Sequence, residues 1–114
     1  MIKAVILHNN SGMAVGFTVK SHGDPKVCAA VSALVINAIN SIFDLCAISE
    51  GDVFCKMNDN GFVGFCLKRS SQRTSHVGLL LDSLVIALSG MSRQFPKDVA
   101  FDSMSVHSLM LNRK

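Results

Sequence analysis

The chain of 114 residues contains no tryptophan and no tyrosine, and seven phenylalanines make up its whole aromatic content of 6%. Proteins that bind nucleic acids commonly combine aromatic stacking platforms with a strongly basic surface. The formal net charge is only +3, so we expect no direct nucleic-acid binding. Charged residues make up 17% of the chain and hydrophobic residues 49%. This composition excludes a disordered tail and predicts a single domain with a hydrophobic core over residues 1–114.

The sequence also lacks a continuous run of about 20 apolar residues, the length that a membrane-spanning helix needs. The best candidate, Val77 to Met91, is fifteen residues long and contains Asp82 and two serines. The opening residues, 1–7, lack the charged start, apolar run and cleavage site of a secretory signal. We therefore expect a cytoplasmic protein with no membrane segment, in which the four cysteines are reduced.

The cysteines and histidines show no pair with the close spacing of a structural zinc site. The glycines likewise lack the spacing of a phosphate-binding loop. We therefore expect neither a metal nor a cofactor. Three of the cysteines, Cys46, Cys55 and Cys66, lie in apolar segments and are expected in the core.

Turn-forming residues divide the chain into strands and helices. In chain order, the patterns predict strands at 2–8 and 13–20, a helix from 25, strands within 52–68, a helix from about 75 that Pro96 ends, and one or two strands within 99–110. Both helices carry an apolar stripe on one face. The order β-β-α-β-β-α-β predicts an α+β fold, a two-layer sandwich in which both helices pack on one face of a mostly antiparallel sheet.

The second hairpin allows two registers. A two-residue loop of Asn60 and Gly61 would place Cys55 opposite Cys66 but would break the apolar face of the hairpin. A three-residue loop that ends at Gly61 in the left-handed conformation forms one continuous apolar face. That face comprises Val53, Cys55, Met57, Val63, Phe65 and Leu67. We predict this second register, which puts the two cysteines on opposite faces of the sheet and excludes a disulfide between them.

The stretch from His22 to Cys28 places an imidazole and a thiol beside the start of a predicted helix. A helix N-terminus and a nearby histidine both stabilise a thiolate, the form of cysteine that attacks carbonyl groups. Asp24 has two candidate roles here, as the cap of the helix or as the residue that orients His22. The dipeptide Asp24-Pro25 favours the cap, since Asp accepts backbone N–H bonds and Pro suits the first helical position.

A strand-terminal His-Gly, a short loop and Val-Cys-Ala-Ala-Val-Ser-Ala-Leu at a helix start resemble the bacterial ribosomal-processing cysteine proteases, the Prp family. The agreement in element order extends to about Val99. The resemblance implies a small cytosolic α+β protein, commonly homodimeric, that trims the N-terminal extension of large-subunit ribosomal protein number twenty-seven after a Phe-containing motif. It assigns Cys28 as the nucleophile and His22 as the general base.

The chain departs from the family pattern at three points. Ser21 stands where the family usually has glycine, and the loop from His22 to Cys28 is markedly shorter. Pro25 occupies the place of the family's aspartate, so that Asp24 lies one position too early. Two functions of different kinds therefore stay open: a cysteine endopeptidase, and a catalytically inactive homologue that binds a peptide or serves in ribosome assembly.

If the pair reacts, the Cys28 thiolate attacks the scissile carbonyl, His22 protonates the departing amine, and water releases the acyl-enzyme. We expect free backbone N–H groups of Lys26, Val27 or Cys28 to stabilise the oxyanion. Ser32 follows Cys28 by one turn on the same helical face. It is expected either to hydrogen-bond the reacting groups or to act as a small residue that lets the helix pack closely.

Overall fold

A computed structural model describes residues 1–107 of the chain. Its elements are β1 (Ile2–His8), β2 (Ala14–Lys20), α1 (Pro25–Leu45), β3 (Val53–Met57), β4 (Phe62–Leu67), α2 (Ser75–Gln94) and β5 (Val99–Ser105). Short 3-10 turns at Glu50–Asp52 and Ser70–Gln72 precede β3 and α2. The predicted order is confirmed. The part of the last predicted strand that reaches Met110 lies outside the described residues.

The five strands form one sheet in the order β3-β4-β2-β1-β5. All neighbouring pairs are antiparallel except β1 with β5, which are parallel. Each helix links two strands that run in the same direction, α1 from β2 to β3 and α2 from β4 to β5. The two crossovers start on antiparallel strands and move towards opposite edges, so the right-handed rule places both helices on the same face of the sheet. The predicted α+β sandwich is confirmed, with one parallel pair.

The core lies between this face and the helices. Phe17 and Phe65 are fully buried and stack at 5.6 Å between ring centroids, and Phe43 of α1 meets the Phe65 ring edge-on at 6.2 Å. The buried helix positions are Val27, Val31, Val35, Ala38, Ile39 and Ile42 in α1 and Val77, Gly78, Leu81, Leu84 and Leu88 in α2. Three further apolar helix residues are only partly buried and pack at the margin of this core: Leu34, Leu80 and Met91.

The β3–β4 hairpin has the predicted register, with Cys55 opposite Phe65 and Cys66 opposite Phe54. Gly61 has the predicted positive φ, at 81°. The prediction that Cys55 is a core residue is wrong, since it is exposed on β3. The physical reason is the position of β3 at the edge of the sheet, where every residue after Val53 is open to solvent.

Both α1 and α2 are long and apolar enough to cross a membrane by length and composition alone. The prediction that the best membrane candidate is the fifteen-residue run from Val77 to Met91 is therefore wrong: α2 has 20 residues, and α1, with 21 residues, is the more apolar of the two helices. Core helices of soluble proteins pass the same test, and each helix here buries one face against the sheet. Length and apolar character thus do not decide the membrane question, and the absence of a membrane segment stays a prediction.

Candidate active site

The start of α1 is shaped by Asp24. Its carboxylate oxygen Oδ1 accepts the backbone N–H of Lys26 at 2.9 Å and that of Val27 at 3.2 Å. Pro25 fills the first helical position, where its missing N–H costs nothing. Asp24 is therefore the cap of the helix, which is the role that the sequence favours.

This cap changes the expected oxyanion site. The N–H groups of Lys26 and Val27 are taken by the Asp24 side chain, and the N–H of Cys28 donates to the Asp24 carbonyl oxygen at 2.9 Å. The expectation that these three N–H groups are free is wrong for this conformation. The reason is that a helix N-terminus leaves unpaired donors, and the nearest carboxylate satisfies them when no other anion is bound.

Cys28 lies in the first turn of α1, half-buried, and packs against the edge of the core. Its thiol is therefore not sealed in the interior. Ser32 follows one turn later and is also half-buried. Among residues 1–107, no hydrogen bond joins the Ser32 hydroxyl to Cys28, so both roles considered for Ser32 stay open.

His22 is exposed and lines a cavity of about 440 Å³ at the end of β2. The other lining residues are Lys20, Lys56, Asn58, Asn60 and Phe62. Within the described part of the chain, the His22 ring makes no hydrogen bond to Cys28. Ser21, just before it, is fixed by its N–H donating to the carbonyl oxygen of Gly61 at 2.9 Å. The structure thus places His22 on the connection before α1 and Cys28 in the first turn of α1, and their side chains are not joined.

Two of the other cysteines, Cys55 and Cys66, are poorly suited to act as nucleophiles. Burial raises the pKa of the Cys66 thiol, and burial together with the nearby Glu50 carboxylate raises the pKa of Cys55. A raised pKa leaves less thiolate at neutral pH. Among residues 1–107, no group of three or more His, Cys, Asp or Glu side chains could hold a metal ion.

Sequence reasoning missed the surroundings of His22. Lys20 and His22 are two positions apart at the end of a strand, so their side chains point to the same face of the sheet. That signal was available in the sequence. The contributions of Lys56 and Phe62 depend on the pairing of β2 with β4 and of β3 with β4, which only the structure supplies.

The order of elements, the capped helix and a half-exposed cysteine in its first turn agree with one protein family. The model of the family described as cysteine protease Prp matches residues 1–100. The chain belongs to the Prp family. No curated protein matches it.

Solved structures agree with this Prp fold. A Streptococcus mutans protein superposes with a TM-score of 0.78 at 22% identity, over 92% of this chain and 98% of that one. The essential ribosomal processing protease Prp of S. aureus, in complex with a covalently linked product peptide, superposes with a TM-score of 0.79 at 19% identity. That match covers 91% of this chain and 100% of the other. At these identities the likeness concerns the fold.

Proposed function

We propose that this Prp-family chain is a cysteine endopeptidase that removes the N-terminal extension of large-subunit ribosomal protein number twenty-seven during ribosome assembly. The observation that carries the proposal is the half-exposed Cys28 in the first turn of a capped helix, in a chain that the Prp model matches over residues 1–100. The S. aureus Prp in the matching structures is a ribosomal processing protease, seen with a substrate peptide and with a covalently linked product peptide.

The connection between His22 and Cys28 is short enough to keep the two residues of the proposed dyad near each other. Three extended steps from His22 to Pro25 and three helical steps to Cys28 give an upper limit of roughly 16 Å between the two Cα atoms. The separation is shorter when the connection folds back, and an imidazole that contacts the thiol at about 3 Å can act as the general base. Cys28 then attacks the scissile carbonyl carbon, the amide C–N bond breaks, and the proton on His22 passes to the departing amine.

The oxyanion of this reaction needs hydrogen-bond donors, but in this structure the N–H groups at the start of α1 donate to the Asp24 side chain. Displacement of the Asp24 carboxylate frees the N–H groups of Lys26 and Val27, which lie at the positive end of α1. Preorganised N–H donors of this kind typically contribute about 10²–10³ in rate to acyl transfer. Substrate binding that displaces the cap is therefore part of the proposed mechanism.

The test is cleavage of a synthetic peptide that carries the ribosomal extension, followed by mass spectrometry. We expect the unmodified protein to cut it and Cys28→Ala and His22→Ala to be inactive. Cys46→Ala is the matched control, since Cys46 is a half-buried cysteine at the opposite end of α1. Cleavage by Cys28→Ala at the rate of the Cys46→Ala control would reject the mechanism.

Three observations support a second candidate function, that of an inactive homologue that binds a peptide or assists ribosome assembly. The occupied N–H groups, the His22 ring turned to its own cavity and the shortened connection all support it. This function predicts binding of the ribosomal extension peptide with no cut product after prolonged incubation. The protease predicts product from the same sample.

We also propose that the protein acts in the cytoplasm as a homodimer, as the family resemblance implies. Light scattering on the purified full chain measures the oligomeric state. A mass equal to one chain at micromolar concentration would contradict the dimer.

A further inference from the structure

Helix α2 is apolar on two opposite faces. One face lies on the sheet, where Leu81, Leu84 and Leu88 are buried. The opposite face carries Leu79 and Ile86, which are 69% and 72% exposed and lie about two turns apart on one line along the helix. Apolar residues on both faces are typical of a helix that is buried on both faces. The outward face of α2 is therefore a contact surface that a single copy of the chain leaves uncovered.

Large and small side chains alternate along this outward line. Ser83 follows Leu79 by four residues and Gly90 follows Ile86 by four, so that all four share one face of the helix. We call these four residues the outer stripe. A Cβ added at Gly90 would meet only a nitrogen of Arg93, at 3.9 Å, so the surface there is open. Small residues between large ones leave holes into which the large side chains of a second helix can pack.

The helix layer around the outer stripe carries little charge. In α1, which packs against α2, no charged residue lies between Lys26 and Asp44. In α2, none lies between Asp82 and Arg93. Both carboxylate oxygens of Asp82 already accept hydrogen bonds from the Arg73 guanidinium, at 2.9 Å. Two copies of the chain, each with a net charge of +3, can therefore meet through this layer without bringing unpaired charges together.

The outer stripe is self-complementary under a two-fold axis. When two α2 helices lie antiparallel, with the axis midway between Leu79 and Ile86, Leu79 of each copy faces the partner subunit's Ile86. The small Ser83 lies beside the axis and allows the helices to approach. A rise of 1.5 Å per residue puts the two apolar contacts roughly 10 Å apart. A two-fold contact of this kind uses the same surface on both copies and closes without further growth.

The helix layer is also large enough for a specific dimer. With 21 and 20 residues, α1 and α2 are each about 30 Å long. Two neighbouring helices about 10 Å apart form a layer roughly 20 Å wide. The layer thus offers on the order of 600 Å² per copy, within the roughly 600–1,000 Å² that each partner of a stable complex buries.

A membrane surface fits the outer stripe less well than a second copy does. Amphipathic helices that bind membranes carry several lysines or arginines along their polar face. The only such residue in α2 is Arg93, which donates to the Ser89 hydroxyl at 2.8 Å. The rest of the helix is either buried on the sheet or belongs to the uncharged outward surface.

We propose that the outer stripe of α2 is the centre of a two-fold interface, in which α2 packs antiparallel to the α2 helix of a second copy of this chain. The inference rests on the homodimer proposed above and adds the face that forms it. It does not depend on whether Cys28 reacts.

Sedimentation velocity on the full chain tests the position of the interface. We expect the unmodified protein to sediment as two chains, and Leu79→Glu and Ile86→Lys each to raise the dissociation constant of the dimer at least about tenfold. Phe54→Glu is the matched control, because Phe54 is 60% exposed but lies on the face of the sheet opposite the helices, and it should leave the dimer intact. Equal far-ultraviolet circular dichroism of the three variants checks that they fold.

Mixing the variants tests the antiparallel arrangement. In a pair made of one Leu79→Glu chain and one Ile86→Lys chain, the two introduced charges of opposite sign face each other, while the second contact joins an unmodified Leu79 to an unmodified Ile86. We expect this mixture to form dimers at concentrations where each variant alone is a single chain. The control mixture of Leu79→Glu with Ile86→Glu brings two glutamates together and should associate at least about tenfold more weakly.

An unmodified protein that sediments as one chain would overturn both the homodimer and this interface. A dimer that survives Leu79→Glu, or that Phe54→Glu dissociates, would overturn the interface and leave the homodimer standing. Equal association of the two mixtures would overturn the antiparallel contact, and binding to phosphatidylserine vesicles that Leu79→Glu abolishes would assign the stripe to a membrane instead. The expected dimer results from a protein that does not cleave the ribosomal peptide would keep the interface and reject the protease.

Discussion

The two candidate roles of Asp24 make opposite predictions for a conservative substitution. As the cap of α1, its side chain accepts two backbone N–H bonds from Lys26 and Val27. Asparagine caps helices about as well as aspartate, whereas alanine cannot accept the bonds. As the residue that orients His22, Asp24 would need its negative charge, which an asparagine side chain lacks. The pair Asp24→Asn and Asp24→Ala therefore separates the two roles.

The magnitudes follow from the contacts. Loss of an N-cap typically costs about 1 kcal/mol of unfolding free energy, and in a domain of this size that lowers Tm by roughly 4 °C. We expect that change in Asp24→Ala and less than about 1 °C in Asp24→Asn. Asparagine in place of an aspartate that orients a catalytic histidine lowers kcat by about 10⁴ in serine proteases, so an orienting role predicts a nearly inactive Asp24→Asn protein.

Thermal melting by circular dichroism and cleavage of the ribosomal extension peptide measure the two quantities on the same samples. The cap predicts that Asp24→Asn keeps both its Tm and its ability to cleave. A stable Asp24→Asn protein with cleavage reduced a thousandfold or more would refute the cap as the main role. An Asp24→Ala protein that melts at the unmodified temperature would show that the two hydrogen bonds contribute nothing to stability.

Two other positions give predictions about stability. A Cβ added at Gly16 would lie 2.7 Å from the Cα of Cys66 on the neighbouring strand, which is too close. Gly16→Ala should therefore lower Tm by roughly 8–12 °C, equivalent to about 2–3 kcal/mol of unfolding free energy. The control Gly51→Ala should change Tm little, because a Cβ there would meet no atom within 4 Å. Equal melting of the two variants would contradict this. Hydrogen bonds from the Ser49 backbone and hydroxyl lower the pKa of Asp52, so its contribution to stability exists above the unfolded-state pKa of about 3.9 and is lost as the pH falls through the folded-state value. Asp52→Asn should therefore lower Tm at pH 7 and approach the unmodified protein below about pH 4; a difference that stays constant with pH would contradict the assignment.

The start of α1 and the register of the β3–β4 hairpin were predictable because each depends on residues that are close together in the sequence. Asp24-Pro25 marks a helix start by hydrogen-bonding chemistry alone, and the cap is observed. The β3–β4 register followed from a requirement that apolar residues share one face, with a glycine at the left-handed turn position, and Gly61 has that conformation. The parallel pairing of β5 with β1 was not predicted, since it depends on where a crossover helix returns the chain.

Features that depend on neighbouring elements were less predictable. Cys55 has an apolar pattern around it and is nevertheless exposed, because β3 is an edge strand, and no sequence pattern of the hairpin itself identifies the edge. The candidate site shows the same limit. The spacing of His22 and Cys28 allowed a contact, but whether free N–H groups remain at the start of α1 depends on the Asp24 rotamer.

The short segment between β2 and α1 couples two steps of the proposed mechanism, the approach of His22 to Cys28 and the loss of the Asp24 cap. Ser21 is fixed by its hydrogen bond to the Gly61 carbonyl, and Pro25 is already in the helix. A movement that brings the His22 ring to Cys28 must therefore be made by residues 22–24. Gly23 has room for such a movement, since a Cβ there would meet no atom closer than 3.9 Å. Because Asp24 belongs to the same three residues, the proposed mechanism couples the approach of the imidazole to the release of the first-turn N–H groups. A longer loop could move its histidine while the cap stayed in place, so in the proposed mechanism the short connection makes cleavage by this chain conditional on loss of the helix cap.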